Sequence, residues 1–232
     1  MEKYTLTKRN NNLWEKYVVP LDSYRIESGL SLLPPIHEGR VLDIGCADGS
    51  LGKKLNEIGW KSYGIDINFQ NTKLTLQKNV LSTLCDLESD FPFRDRSFDA
   101  IVAFEVIEHL VDTRQFINEC YRILKPNGYL ILTTPNLASF SNRIRLLFGQ
   151  YPAWMDYDLE SGSGHIRYFT STILRLQTES LGFHLEKKRG SAIPIPFLSR
   201  LWGKDNSRFD LFKILGRLFP NFSTHVIFRL RK

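Results

Sequence analysis

The stretch Val41-Leu42-Asp43-Ile44-Gly45-Cys46-Ala47-Asp48-Gly49-Ser50 constrains the fold more than any other part of the chain. Four residues, Val41 to Ile44, have the character of a buried strand. They run into a turn of small residues at Gly45, Ala47 and Gly49, and a helix-compatible run starts at Leu51. A strand, a tight turn and a helix in that order let backbone N–H groups approach a ligand that side chains would hold off. Asp43 stands at the strand end, facing the crevice where open α/β sheets bind ligands. The spacing fails the dinucleotide pattern G-x-G-x-x-G and fits D-x-G-x-(G/A)-x-G. Asp66 follows 23 residues later, at the end of the next strand, where a carboxylate can take both hydroxyls of a ribose. Asp86, with Leu87 beside it, ends the strand after that. Three acids on three successive strand ends line one crevice.

The rest of the chain to Thr133 alternates in the same way. A helix is expected over Asp22–Leu33, stopped by Pro34-Pro35, and a strand over Arg40–Ile44. Helices at 50–58 and Asn68–Lys78 flank strands Ser62–Ile65 and Val80–Cys85, before a loop at Glu88–Ser97. Phe98–Phe104 is a near-continuous apolar run, as a strand buried on both faces requires. Asp112–Leu124 is amphipathic with Asp112 or Thr113 as cap, Lys125–Gly128 reads as a turn, and Tyr129–Thr133 as a fifth strand. This rhythm implies a Rossmann-like, doubly wound α/β sheet with right-handed crossovers. Afterwards it breaks: a helix at Phe140–Phe148, an aromatic loop, a helix from Thr170 to Leu181, and closing strands at Phe183–Lys188 and His225–Leu230. With no repeat or low-complexity linker, the pattern predicts one domain over 1–232. Its parts are an N-terminal arm and helix (1–39), a core (40–136), a lid (137–169) and a basic amphipathic insertion (191–224).

Composition narrows the setting. No run approaches the ~18 apolar residues of a membrane span. The N-terminal stretch is polar, and Cys46, Cys85 and Cys120 are odd in number and far apart, which suits free thiols in a reducing cytoplasm. The formal charge of +6 is lopsided: residues 187–232 carry eleven Lys or Arg against two Asp, a net of +9 that leaves 1–186 at −3. In the insertion, Phe197–Trp202 and Phe209–Phe219 mix Phe, Leu and Trp with Arg and Lys at helical spacing. Peripheral membrane contact through 197–219, packing against the domain, and an oligomer interface are the readings open there. A nucleic-acid partner is not favoured, and the oligomeric state is not legible.

At this point the chain resembles the class I S-adenosylmethionine-dependent methyltransferases over roughly residues 38–190. The matching stretches are VLDIGCADG, the acid in YGIDIN, CDLE, FDAIVAFEVIEHL and LKPNGYLILTTPN. The resemblance implies a seven-stranded sheet, mostly parallel with a reversed last strand, and S-adenosyl-L-methionine as cofactor. It places Asp43, Gly45, Cys46, Ala47 and Gly49 around the methionine moiety, with Glu105 bordering the cofactor. Asp66 and Ile67 fall at the ribose, and Asp86 with Leu87 at the adenine. Ala47 departs from the glycine common there.

The acceptor side centres on Glu105-Val106-Ile107-Glu108-His109. Spacings of three and four put Glu108 and His109 on one face with Glu105 if the segment forms a helical turn. His165 lies in the lid over the same cleft. Two carboxylates and two imidazoles can hold a divalent cation, and the pattern is similar to that of ubiquinone-pathway O-methyltransferases and small-RNA 3′-terminal 2′-O-methyltransferases. The resemblance thus implies Glu105, Glu108, His109 and His165 as candidate metal ligands, and Glu108 and His109 as catalytic groups. The same motif also occurs in methyltransferases without a metal, where the histidine bonds backbone or acts as a base. Arg143, Tyr151, Trp154 and His165 are the candidate contacts for a small-molecule acceptor. The expected reaction is methyl transfer to a hydroxyl oxygen, of a free or a lipid- or glycan-linked molecule. Transfer to nitrogen or carbon, an RNA 2′-O-methyltransferase, and a cofactor-binding regulatory module are the alternatives.

Overall fold

The computed structural model describes residues 24–35, 38–153, 164–193 and 207–232. Seven strands form one sheet: β1 (Arg40–Ile44), β2 (Lys61–Asp66), β3 (Leu81–Leu84), β4 (Phe98–Phe104), β5 (Leu124–Pro135), β6 (His184–Gly190) and β7 (His225–Arg231), in the order β3-β2-β1-β4-β5-β7-β6. The pairs from β3 through β5 are parallel, whereas β7 runs antiparallel to both neighbours. The reversed last strand expected from the sequence is therefore present. Its helices are α1 (Tyr24–Leu30), α2 (Ser50–Glu57), α3 (Phe69–Gln77), α4 (Thr113–Ile123), α5 (Phe140–Leu147), α6 (Ser171–Glu179) and α7 (Ser207–Leu218).

The apolar run of β4 is buried as its composition demands, and separates two cores. Leu42, Phe98, Ile101, Phe116, Ile123 and Phe228 belong to one, and Leu32, Val41, Leu55, Val102 and Ile227 to the other. Capping follows the sequence: Asp112 accepts from Arg114 N and Gln115 N at 3.0 and 2.9 Å, and Asn68 opens α3. The Lys125–Gly128 turn is a correction. It lies inside β5 as a bulge, because Phe98 pairs with Leu124 and Ala100 already with Tyr129. Asn127 takes up the extra chain at φ 64°, and Lys125 is tied back to Asp99 at 2.8 Å. Of the two amphipathic pieces expected in the insertion, Phe209–Phe219 is realised as α7, and Phe197–Trp202 lies outside the described residues.

Strand order reverses direction between β1 and β4, and at such a switch point the loops leaving the two strands diverge and open a crevice. Asp43, Asp66 and Glu105 stand at the C-terminal ends of β1 and β2 and just past β4. The fold thus delivers three acids to one rim.

Candidate functional site

The glycine turn is held from both sides. Gly45 N and Cys46 N donate to Ile65 O at 2.9 and 3.0 Å, stitching β1's exit onto β2. Gly45, Ala47 and Gly49 all sit at positive φ (73, 45 and 76°), so the alanine occupies a conformation that favours glycine. A Cβ on Gly49 would lie 2.6 Å from Thr75 Cα, and one on Gly45 2.9 Å from a Val106 methyl. Neither position accepts a side chain without moving α3 or the β4 exit.

Asp66 fastens the turn to the next helix. One oxygen accepts from Ala47 N at 2.9 Å; the other accepts from Asn68 N at 2.8 Å and Asn71 Nδ2 at 3.2 Å. Burial pushes its pKa up against these bonds. Asp43 is the unusual acid. It is 2% exposed, and its Oδ2 has no hydrogen-bond partner among the described residues. Burial, then the charges of Asp66 and Asp48, push it up to about 8. An unpartnered buried carboxylate oxygen costs free energy that a cationic ligand would relieve. Cys46 is buried, its thiol 3.5 Å from Thr75 Oγ1 and pushed up by burial. Ile67 and Leu87 are half-buried along the same rim, whereas Asp86 is exposed and caps its own turn through Glu88 N at 3.0 Å.

The acceptor side differs from expectation in one respect. Glu105 adopts φ 56°, outside helical geometry, and only Ile107–His109 forms a 3₁₀ turn. Glu105 therefore does not share a face with Glu108 and His109. Its carboxylate lies 3.3 Å from Arg25 Nη1 and 3.3 Å from His225 Nε2, and its other oxygen accepts from Thr133 Oγ1 at 2.8 Å. Against burial, which raises it, His225 and Arg25 hold its pKa down at about 2. As a metal ligand it is thus displaced by an ion-pair network. Sequence reading missed Arg25, Thr133 and His225, since only the β5–β7 register, with Pro135 opposite His225, brings the last strand's first residue here.

The other three candidates do converge. One donor atom each from Glu108, His109 and His165 lies within 4.8 Å of the others. Glu108 is 1% exposed; Oε2 accepts from Thr134 Oγ1 at 3.1 Å, while Oε1 has no hydrogen-bond partner among the described residues and lies 3.9 Å from His165 Nε2. Burial, then the Glu105 charge, push its pKa well above the carboxylate range. The backbone carbonyl of Glu108 accepts from Ile166 N and Arg167 N at 2.9 and 3.0 Å, which docks the His165 segment directly on the motif. His109 Nδ1 sits 3.0 Å from Gly164 O. A carbonyl only accepts, so that nitrogen carries the proton and the neutral ring keeps its lone pair on Nε2. A carboxylate and two imidazoles with an unsatisfied buried oxygen are a donor set that fits a borderline divalent cation and leaves coordination positions open.

Two further acceptor-side candidates have local partners. Arg143 donates from Nε to Ala138 O at 2.8 Å and stacks its guanidinium 4.8 Å over Phe222; Tyr151 is exposed and its carbonyl accepts from Arg145. Trp154 lies outside the described residues.

Comparison with known proteins identifies the family. A family model described as a methyltransferase domain matches residues 21–188. Ubiquinone biosynthesis O-methyltransferase, mitochondrial, from Rattus norvegicus is 34% identical over 125 residues, covering 50% of this chain and 36% of the relative. The ubiquinone biosynthesis O-methyltransferase of Bradyrhizobium diazoefficiens is 38% identical over 102 residues, 42% of this chain and 40% of the relative. The match thus spans well under half the length of these relatives. A solved methyltransferase from Thermotoga maritima, described as a possible histamine N-methyltransferase, superposes with TM-score 0.66 at 21% identity over 98% of both chains, which shows a shared fold. With the model match spanning most of its length, the chain belongs to the methyltransferase domain family, as a member of the class I S-adenosylmethionine-dependent methyltransferase superfamily.

Proposed function

We propose that this enzyme transfers a methyl group to a hydroxyl oxygen of a small-molecule acceptor, with Glu108, His109 and His165 orienting that hydroxyl. The observation that carries the reading is the convergence of these three side chains on an unsatisfied, buried carboxylate oxygen beside the crevice. The names of the ubiquinone-pathway relatives favour oxygen as the acceptor atom. The cofactor supplies an already activated methyl, so alignment carries much of the rate. The residues assigned to hold it are Asp43, Gly45, Cys46, Ala47 and Gly49 at its methionine end, and Asp66, Ile67, Asp86 and Leu87 at its nucleoside. Both the glycine cradle and the unpartnered Asp43 oxygen fit a compact cationic ligand. A divalent cation held by Glu108, His109 and His165 would supply Lewis acidity toward the acceptor hydroxyl. Should no cation be held there, the same His109 nitrogen, Nε2, would serve as the base toward the hydroxyl proton, with Nδ1 turned to Gly164 O.

Methyl-labelled S-adenosylmethionine offered with a panel of phenols, catechols and sugar alcohols is expected to yield methyl ethers, identified by mass and NMR. Label recovered on nitrogen or carbon would overturn the assignment.

Asp43 makes cofactor binding proton-linked. In the free protein it stays protonated up to about pH 8, against 3.8 for an unperturbed carboxyl. Folding stability of the free protein thus falls as pH rises between those values, because the unfolded state has already lost that proton. A cationic cofactor held by ionised Asp43 must displace it, so affinity should rise up to tenfold per pH unit toward pH 8. Calorimetry in buffers of different ionisation enthalpy at pH 6.5 is expected to find about one proton released per cofactor, and none for Asp43→Asn. A pH-independent affinity would break the link.

A further inference from the structure

Helix α7 leaves one apolar stripe unburied. Leu211, Ile214 and Leu218 recur at the spacing of one helical face, which in a packed helix turns to the core. Here all three are exposed, Leu218 at 65%. The helix packs through the neighbouring face, where Phe212 and Leu215 are half-buried and Gly216 is buried. Gly216 is buried so closely that a Cβ would lie 2.7 Å from Ser191 O, and the Phe212 carbonyl accepts from Ile193 N at 3.0 Å. The packed face is thus Phe212, Leu215 and Gly216, and a second apolar stripe, Leu211, Ile214 and Leu218, is left facing out.

The same surface continues onto α5. Arg143 covers the Phe222 ring, and Leu147, one helical turn beyond Arg143, is 76% exposed with Phe148 next to it at 73%. Asn136 fastens the two pieces, since its side chain donates to Asn221 O and Ser223 O at 3.0 and 2.9 Å. Its backbone bridges to Phe169, four residues from His165. The exposed apolar crest therefore borders the segment that completes the acceptor site.

Charge selects the partner. Residues 140–151 and 207–222 contain Arg143, Arg145, Arg208, Lys213 and Arg217 against the single acid Asp210. Large apolar side chains at the crest with cations along its flank match an interface that is apolar below and anionic at its surface. An excess of cations of this kind suits an anionic surface better than the core of a protein–protein interface, where charged residues are depleted. No helix among the described residues is long and apolar enough to cross a membrane, so the contact would be peripheral.

We propose that the end of α5 and the outer face of α7 dock on an anionic lipid membrane surface. Docking there sets the cleft against acceptors held at that surface; this last step rests on the O-methylation reading, the docking does not. The test is flotation of the full-length protein, without cofactor or acceptor, on vesicles of phosphatidylcholine with or without phosphatidylglycerol. Binding is expected only with phosphatidylglycerol, reduced by high salt and lowered about tenfold or more in Leu147→Ser/Phe148→Ser/Leu218→Ser, three exposed positions whose change should leave the circular dichroism spectrum and melting temperature intact. Failure of the wild type to float overturns the proposal, as does equal flotation of the triple variant. A wild-type dimer that the triple variant converts to monomer would assign the crest to self-association instead. Because no methyl transfer is read, failure of the acceptor assignment leaves this result standing, and the reverse.

Discussion

Glu108→Gln is expected to lower kcat/KM by about two to four orders of magnitude while cofactor affinity changes little. Glutamine keeps the shape and the Thr134 contact but cannot carry the charge that the unpartnered Oε1 can offer a cation or a proton. His109→Ala and His165→Ala should fall in the same range. A double variant should lose little more, because groups that act as one unit are not additive. A direct titration with Mn²⁺ or Zn²⁺ separates the two ways the cluster can work. If it holds a cation, the wild type binds one ion, each substitution weakens it about 10- to 100-fold, and affinity rises with pH as Glu108 gives up its proton. If His109 acts as a base alone, no ion binds, full activity persists in chelator, and only His109→Ala shows the full loss. Near wild-type turnover in both Glu108→Gln and His109→Ala would remove the cluster from the chemistry.

What could be read from the sequence divides along the range of the interactions involved. The turn at Gly45–Gly49 is set by neighbours within a few residues, so spacing alone located it, and the acids at 43 and 66 followed from strand ends. Asp86 is less clear, since it is exposed and occupied with its own turn. The convergence of His165 on Glu108 was anticipated from residue type, though its cause was not: two amides donating to the Glu108 carbonyl place that loop. Glu105 is where local reasoning failed. Three-and-four spacing presumes helical φ, and the residue takes a left-handed conformation that no pattern signals. Its partners come from α1 and from β7, separated from it by 80 and 120 residues of chain. Likewise, the periodicity of α7 identified an amphipathic helix without saying which face would meet the sheet.

That network carries the second large effect. Glu105→Ala is expected to cost about 3–5 kcal/mol of stability, read as a fall in melting temperature of about 6–20 °C. Arg25 and Glu105 are only 15% and 13% exposed, and the Arg25 Nε already lacks a partner among the described residues. Removing the carboxylate strands a guanidinium under α1, a helix pressed to the sheet so closely that a Cβ on Gly29 would lie 2.5 Å from the Phe104 ring. The pH dependence has a definite sign. Glu105 is held at about 2 against 4.5 in the unfolded chain, so its contribution is full above 4.5 and is lost as pH falls through the folded value. Glu105→Gln should flatten that acid limb. Glu105→Gly divides the effect further, because glycine relieves the left-handed backbone by about 1 kcal/mol while losing the same ion pairs. The glycine variant should therefore melt above the alanine variant and below the wild type. A loss under about 1 kcal/mol in Glu105→Ala would show instead that Arg25 and His225 find water or other partners, and that Glu105 is free to turn toward Glu108.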